Sequence, residues 1–342
     1  MLLRAATWGT LLCMVILLGC SEDGGEAEES IPITFASSNQ EEQSATRGTT
    51  PLAQDFVAWG YKTTDAGVQK VFQGYHMTYV PGSAGTSADN THCYSYVNGT
   101  GQSIKFWDLS ASAYNFWGAT GGTFSADGTS LTLTGLSQTV AEPDVTGQLF
   151  SSLYHRSPVV ADVVQLQFKR PYARVRVLFY TGEALEAGQS IAVTDVTLRP
   201  VGAQQIITEG SIVVNFPKSG EGPETFTTTP TAYSERLDFD DVTLDHTQGT
   251  ATSNTVTAVP TGGTECYFVV PHHYNTAFTL SANIDDQPKT SAIPADLMNW
   301  TPNSTYTYIF KLTDGGKKIE LYDVTITPWE YGGSQDDMWK NW

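Results

Sequence analysis

The sequence predicts an all-β protein, organised as two tandem antiparallel β-sandwich domains. Three observations carry that expectation. Thr, Ser, Gly, Tyr and Val are abundant while Lys and Arg together number 18 in 342 residues, a mixture that favours strands and turns over helices. Short runs alternating apolar and polar residues recur between turn signals along most of the chain. The length of 342 residues exceeds what one core usually serves, and 40% apolar residues can fill two. A formal charge of −18 leaves no basic stripe to displace counterions from phosphates, which excludes a nucleic-acid partner. It also opposes docking on an anionic membrane surface.

Taken in order, Arg4 followed by the apolar run Ala5 to Gly19 has the shape of an export signal, too short for a comfortable membrane span. It closes in Leu17-Leu-Gly-Cys20, which resembles the lipobox of bacterial lipoproteins. There the cysteine thiolate accepts a diacylglycerol and the preceding peptide is removed, so Cys20 is the candidate lipidation site. An ordinary signal with a chance cysteine is the plainer alternative. The acidic stretch Ser21 to Glu29 resembles the surface-export signal of lipoproteins in some Gram-negative anaerobes; a solvated acidic linker is the plainer alternative. Ile31-Pro-Ile-Thr-Phe35 sets Ile31, Ile33 and Phe35 on one face at period two, with Pro32 confining it to an edge or first-strand position. Residues 36–55 have loop composition. They hold Arg47, the only basic residue between Cys20 and Lys62; an exposed loop with a single arginine is where an Arg-specific protease would cut, and an unremarkable loop arginine is the plainer reading.

Strand-like runs follow at Phe56–Tyr61, Lys70–Phe72, Tyr75–Tyr79, Tyr94–Tyr96, Ile104–Trp107, Tyr114–Trp117 and Leu131–Leu133. In Ala173–Tyr180, Val175, Val177 and Phe179 share a face opposite Arg174 and Arg176. Pro200-Val-Gly202 suits a domain boundary. The second half repeats the style through Ser211–Phe216, Val242–Leu244, Thr255–Val259, Cys266–Pro271, Ala277–Ala282, Thr305–Leu312 and Leu321–Ile326, with one helical turn near Ala295–Met298.

Several stretches together resemble the fimbrillin (FimA/Mfa-like) family of type V pilus subunits. They are the lipobox, the Ile31–Phe35 strand, the Thr46-Arg47-Gly48 loop, Phe168-Lys-Arg-Pro-Tyr-Ala-Arg-Val175 and Tyr267-Phe-Val-Val-Pro271. The last are Trp300–Tyr308 and Val324-Thr-Ile-Thr-Pro-Trp329. The resemblance implies transthyretin-like, Greek-key sandwiches and a non-enzymatic structural role in adhesion or biofilm, with no cofactor. It also implies residues 1–20 as a lipoprotein signal, 21–47 as a propeptide with a removable first strand, 48–202 as one sandwich, and 203–342 as a second with a donor-strand tail. In such fimbrillins the lipoprotein reaches the outer membrane and an Arg-specific protease removes the first strand. The groove then accepts a strand from the C-terminal end of a neighbouring subunit, either another copy or a homologue, and the product is a cell-surface fimbrium.

An emptied position would expose unpaired main-chain groups beside an apolar trough, which a partner strand satisfies by pairing and by alternate side chains. Four or five such side chains at ~1.5–3 kcal/mol each make a tight polymer. The candidate donor is Lys318–Trp329, with Ile319, Leu321, Val324, Ile326 and Trp329 as its apolar set, plus residues 330–342 with Met338, Trp339 and Trp342 beyond a Gly332-Gly333 hinge. The plainer reading makes Ile319–Ile326 the last strand of its own sandwich. Cleavage after Arg47 would remove seven acids and two bases and leave a net charge of −13.

Other constellations carry less chemistry. Cys93 and Cys266 fall in different expected domains and read as separate thiols. His272-His273 would point to opposite faces of a strand. Asp238-Phe-Asp-Asp241 and Asp285-Asp286 fit no complete calcium loop, so no metal site is expected. Gly118–Gly122 lacks the lysine of a phosphate loop. Trp59, Trp107 and Trp117 could stack on sugar rings, although such aromatics more often fill a sandwich core. That leaves an alternative in which the chain is an uncleaved outer-membrane surface lipoprotein that binds glycans. A host receptor or glycan partner remains open under either reading.

Overall fold

A computed structural model describes residues 30–39, 54–80, 94–97, 99–144, 146–151, 153–247 and 254–329. Strands of five residues or more are numbered in chain order, and shorter ones are named by their residues. The described residues form strands and two 3-10 turns, one of them Ala295–Leu297.

The first sheet runs in the order β1 (Phe35–Asn39), β6 (Val164–Lys169), Phe150–Ser151, β4 (Ala113–Ala119), β2 (Phe56–Thr64), β3 (Gly67–Tyr79) and Tyr94–Ser95. β3 runs unbroken where two strands were expected, because Gly74 at φ +62° absorbs the irregularity. The second sheet contains β10 (Thr225–Ser234), β9 (Ile206–Asn215), β5 (Ser130–Ser137) and Thr123–Phe124. The third orders Thr255–Ala258, β7 (Ala173–Thr181), β13 (Ser304–Thr313) and β14 (Lys318–Pro328). In the fourth, Leu237–Asp238, β8 (Ser190–Pro200), β11 (Phe278–Ile284) and β12 (Gln287–Ile293) lie side by side.

Pairing is mostly antiparallel, as the sequence led one to expect, with two exceptions. β1 runs parallel to β6, and β7 runs parallel to β13 over eight residue pairs. Parallel neighbours need a long return path, and for β7 and β13 the fourth sheet and β9–β10 supply it.

Three apolar cores follow from these layers. One face of the first sheet, with the segment from Tyr94 to Ala111 over it, encloses Ile33, Phe35, Phe56, Phe72, Tyr96 and Phe116. Its other face packs on the second sheet through Trp117, Leu133, Ile212 and Phe216. Here Tyr61, Trp117 and Phe216 stack nearly parallel, with centroids 5.6 and 5.3 Å apart. The third and fourth sheets share the remaining core, built on Val175, Val177, Phe179, Val193, Leu280, Tyr308 and Phe310.

The strand pairing crosses residues 200–202. β7 and β8, before that point, belong to sheets completed by the C-terminal strands, while β9, after it, pairs back onto β5 and carries β10 on its other edge. The face of β7 opposite Val175 and Val177 is covered as well: Arg176 is buried and its guanidinium lies 3.8 Å from Glu265.

Candidate functional site

The N-terminal segment joins two walls. Trp107 donates its backbone N–H to Ile31 O (2.9 Å), Ile33 donates to Lys105 O (2.7 Å), and Pro32 bridges Phe106. Val164 donates to Thr34 O (2.8 Å), after which β1 pairs with β6 from Phe35↔Val164 to Asn39↔Phe168. Ile33 and Phe35 are 0% exposed, whereas Ile31 is 42% exposed and sits outside the core. Ile31 therefore does not share the buried face with Ile33 and Phe35, because it precedes the point where the segment enters the trough. The regular strand begins at Phe35 and continues to Asn39, beyond the expected end. Composition hid this, since Ser37 is polar yet buried, with its hydroxyl 2.6 Å from that of Tyr94.

Phe35 stands among four rings, all edge to face: Phe72 at 5.1 Å, Phe116 at 5.7 Å, Tyr96 at 6.3 Å and Phe56 at 6.5 Å. Tyr96 also donates its hydroxyl to Ile33 O at 2.8 Å. The lid over this trough is tied to β2 by Lys62, whose Nζ lies 2.6 Å from Asp108. The ammonium, with Ser110, holds the Asp108 carboxyl down to about 2. Sequence reasoning found Ile33 and Phe35 but not Tyr94, Tyr96 or Asp108, whose roles depend on contacts far along the chain.

Cys20, Arg47, Gly48, Cys93 and residues 330–342 lie outside the described residues.

At the other end, β14 is the outermost strand of its sheet and pairs along its whole length with β13, with one bulge. Ile319, Leu321 and Val324 pack, half-buried, against the core of the third and fourth sheets. Ile326 is 52% exposed and lines a cavity of about 560 Å³ with Phe150, Val214, Phe226 and the Lys169–Glu224 ion pair. Trp329 is buried. Its ring lies 5.1 Å from Phe268, with the guanidinium carbons of Arg170 and Arg174 at 4.5 and 4.9 Å. Asn303 completes this knot: its O accepts from Trp329 N–H (2.8 Å), its N–H donates to Tyr172 O (2.8 Å), and its Oδ1 accepts from Arg170 N–H (3.0 Å). Three stretches of the sequence, at 168–175, 267–271 and 300–308, thus converge on Trp329 at the end of a fourth, 324–329. Burial lowers the pKa of Arg174 and pushes the Cys266 thiol up to about 11.

These four stretches all lie within residues 44–329, which match the family described as fimbrillin-like. The chain belongs to the fimbrillin-like family. It is a family of adhesion and structural proteins and not of enzymes. Among solved structures, this fimbrillin-like chain is similar to a fimbrial protein from Bacteroides vulgatus at 13% identity, covering 87% of this chain and 99% of that one with a TM-score of 0.42. It is also similar to a candidate cell adhesion protein from Bacteroides ovatus at 13% identity, covering 89% and 99% with a TM-score of 0.41. A third, from Bacteroides uniformis, shares 11% identity, covers 89% and 100%, and scores 0.40. No curated protein matches the sequence. The family assignment rests on the sequence match.

The remaining candidates of the fimbrillin-like chain are structural. Trp59, Trp107 and Trp117 are buried, so none offers a face to a sugar. His272 packs on Tyr274 and His273 on Phe226. Among the described residues no cluster of His, Cys, Asp or Glu could hold a metal ion, and Cys266 is a free, buried thiol.

Proposed function

We propose that this chain is a structural subunit of a cell-surface pilus, assembled by protease-triggered donor-strand exchange. It is exported as an outer-membrane lipoprotein through Cys20, and an Arg-specific protease cuts between Arg47 and Gly48. The observation that carries the reading is the burial of Phe35 in the outermost strand of a sheet and of Ile33 just ahead of it, with Arg47 the first arginine after them in the sequence. Cutting there frees that strand from the body covalently, and only packing and main-chain pairing then retain it. A neighbouring subunit's strand can take over both kinds of contact.

The donor comes from the C-terminal side. Within the span Ile319–Trp329, Ile319, Leu321 and Val324 already cover their own core and Trp329 is knotted in place. Donating that strand would uncover three half-buried side chains, so the reading favours residues 330–342. Burial of Trp59, Trp107 and Trp117 weighs against the alternative of an uncleaved glycan-binding lipoprotein.

The test is trypsin treatment of the purified chain and of an Arg47→Ala form, with polymers scored by electron microscopy. The parent should polymerise and the variant should not; equal polymerisation refutes the processing step. N-terminal sequencing of protein from cells should begin at Gly48, whereas retention of Cys20 would favour the glycan binder.

A further inference from the structure

We infer that the trough beneath residues 31–37 selects its incoming strand by an aromatic anchor. The strand it accepts comes from a neighbouring subunit and seats an aromatic side chain at the position of Phe35, which residues 330–342 can offer through Tyr331, Trp339 or Trp342. This rests on the proposed strand exchange and adds a rule for which strands can enter.

The positions of Ile33, Phe35 and Ser37 are built differently. At the first, the wall contributes main-chain pairing with Lys105 O and a tyrosine hydroxyl aimed at the strand's own carbonyl. Neither contact reads the side chain, so any aliphatic residue of similar volume serves. The second position is closed by four rings at 5.1–6.5 Å whose planes meet Phe35 at 71–90°. Each of these edge-to-face pairs sets the positive rim of one ring against the negative face of another. An aliphatic side chain there has the apolar surface but lacks the quadrupole and the flat shape, and leaves a void among rings held by their own contacts. Phe72 and Phe116, for example, also pack on Tyr75 and Trp107. At the third position the Tyr94 hydroxyl lies 2.6 Å from Ser37 Oγ, which favours a residue that can return a hydrogen bond and is small enough to fit. Specificity is therefore concentrated in the middle, where the walls are least able to collapse.

The experiment uses the full chain, cut with trypsin and stripped of its N-terminal fragment in mild denaturant before return to buffer. Labelled synthetic peptides of residues 30–39 are then added and uptake is read by fluorescence anisotropy and gel filtration. Changing the peptide leaves the acceptor's folding untouched. The parent peptide should be retained, Phe35→Leu should bind about tenfold more weakly, and Phe35→Ala at least about a hundredfold more weakly. Ile31→Ala, at the half-exposed entrance, should stay within about twofold. If the parent binds and Phe35→Ala binds within about threefold of it, the anchor is wrong while strand exchange stands. If the stripped chain takes up no peptide and the cut chain forms no polymer, strand exchange falls and the anchor falls with it.

Discussion

β1 and β14 are both outermost strands with one paired neighbour, yet they are held by opposite means. β1 matches five residues of β6 and drives Phe35, with Ile33 just ahead of it, into a closed aromatic core. β14 pairs nearly end to end with β13 but leaves its inward row half-buried, and is pinned past its end by Trp329. Under the proposed exchange, a strand that leaves needs a seat worth competing for and few rungs to break. A strand meant to stay needs the ladder and a lock.

The largest expected effect tests the seat. Phe35→Ala should lower the unfolding free energy of the uncut chain by about 3–5 kcal/mol in a denaturant titration. Trp329→Ala tests the lock and should cost about 3 kcal/mol, since it removes a buried indole and the cation–π contacts of two arginines. Leu321→Ala, in the half-buried row, should cost only about 1–2 kcal/mol. A Leu321 effect as large as that of Phe35 would break the contrast between a deep seat and a shallow row.

The smallest effect concerns the lid. Because Asp108 is held down to about 2, its stabilisation is present above the unfolded carboxyl value of about 3.9 and is lost as pH falls through about 2. Asp108→Asn should therefore cost up to about 1 kcal/mol at pH 7, and the difference from the parent should vanish between pH 4 and pH 2. A difference that persisted at pH 2 would mean the Lys62 pairing is not its source.

Some of this was legible without coordinates. Period-two spacing and Pro32 placed an edge strand near Ile33 and Phe35, and alternation in Ala173–Tyr180 named Val175, Val177 and Phe179 as core. Ser37 and Asn39 looked like loop because burial of a serine depends on a tyrosine hydroxyl 57 residues away. The boundary suggested by Pro200-Val-Gly202 is a real turn, but local residues do not say which sheet the next hairpin will join. The convergence on Trp329 was likewise invisible, although each contributing stretch had already stood out.

The crossing at residues 200–202 has a consequence for how the body melts. With β7 and β8 lent to one pair of sheets and β9 and β10 returned to the other, neither half holds all the strands it needs. Separate expression of residues 48–202 or 203–329 would leave each fragment missing central or edge strands, and neither should be obtained as a folded product. In the intact chain the shared strands tie the fates of both halves, so calorimetry should record one cooperative endotherm where two independent modules would give two.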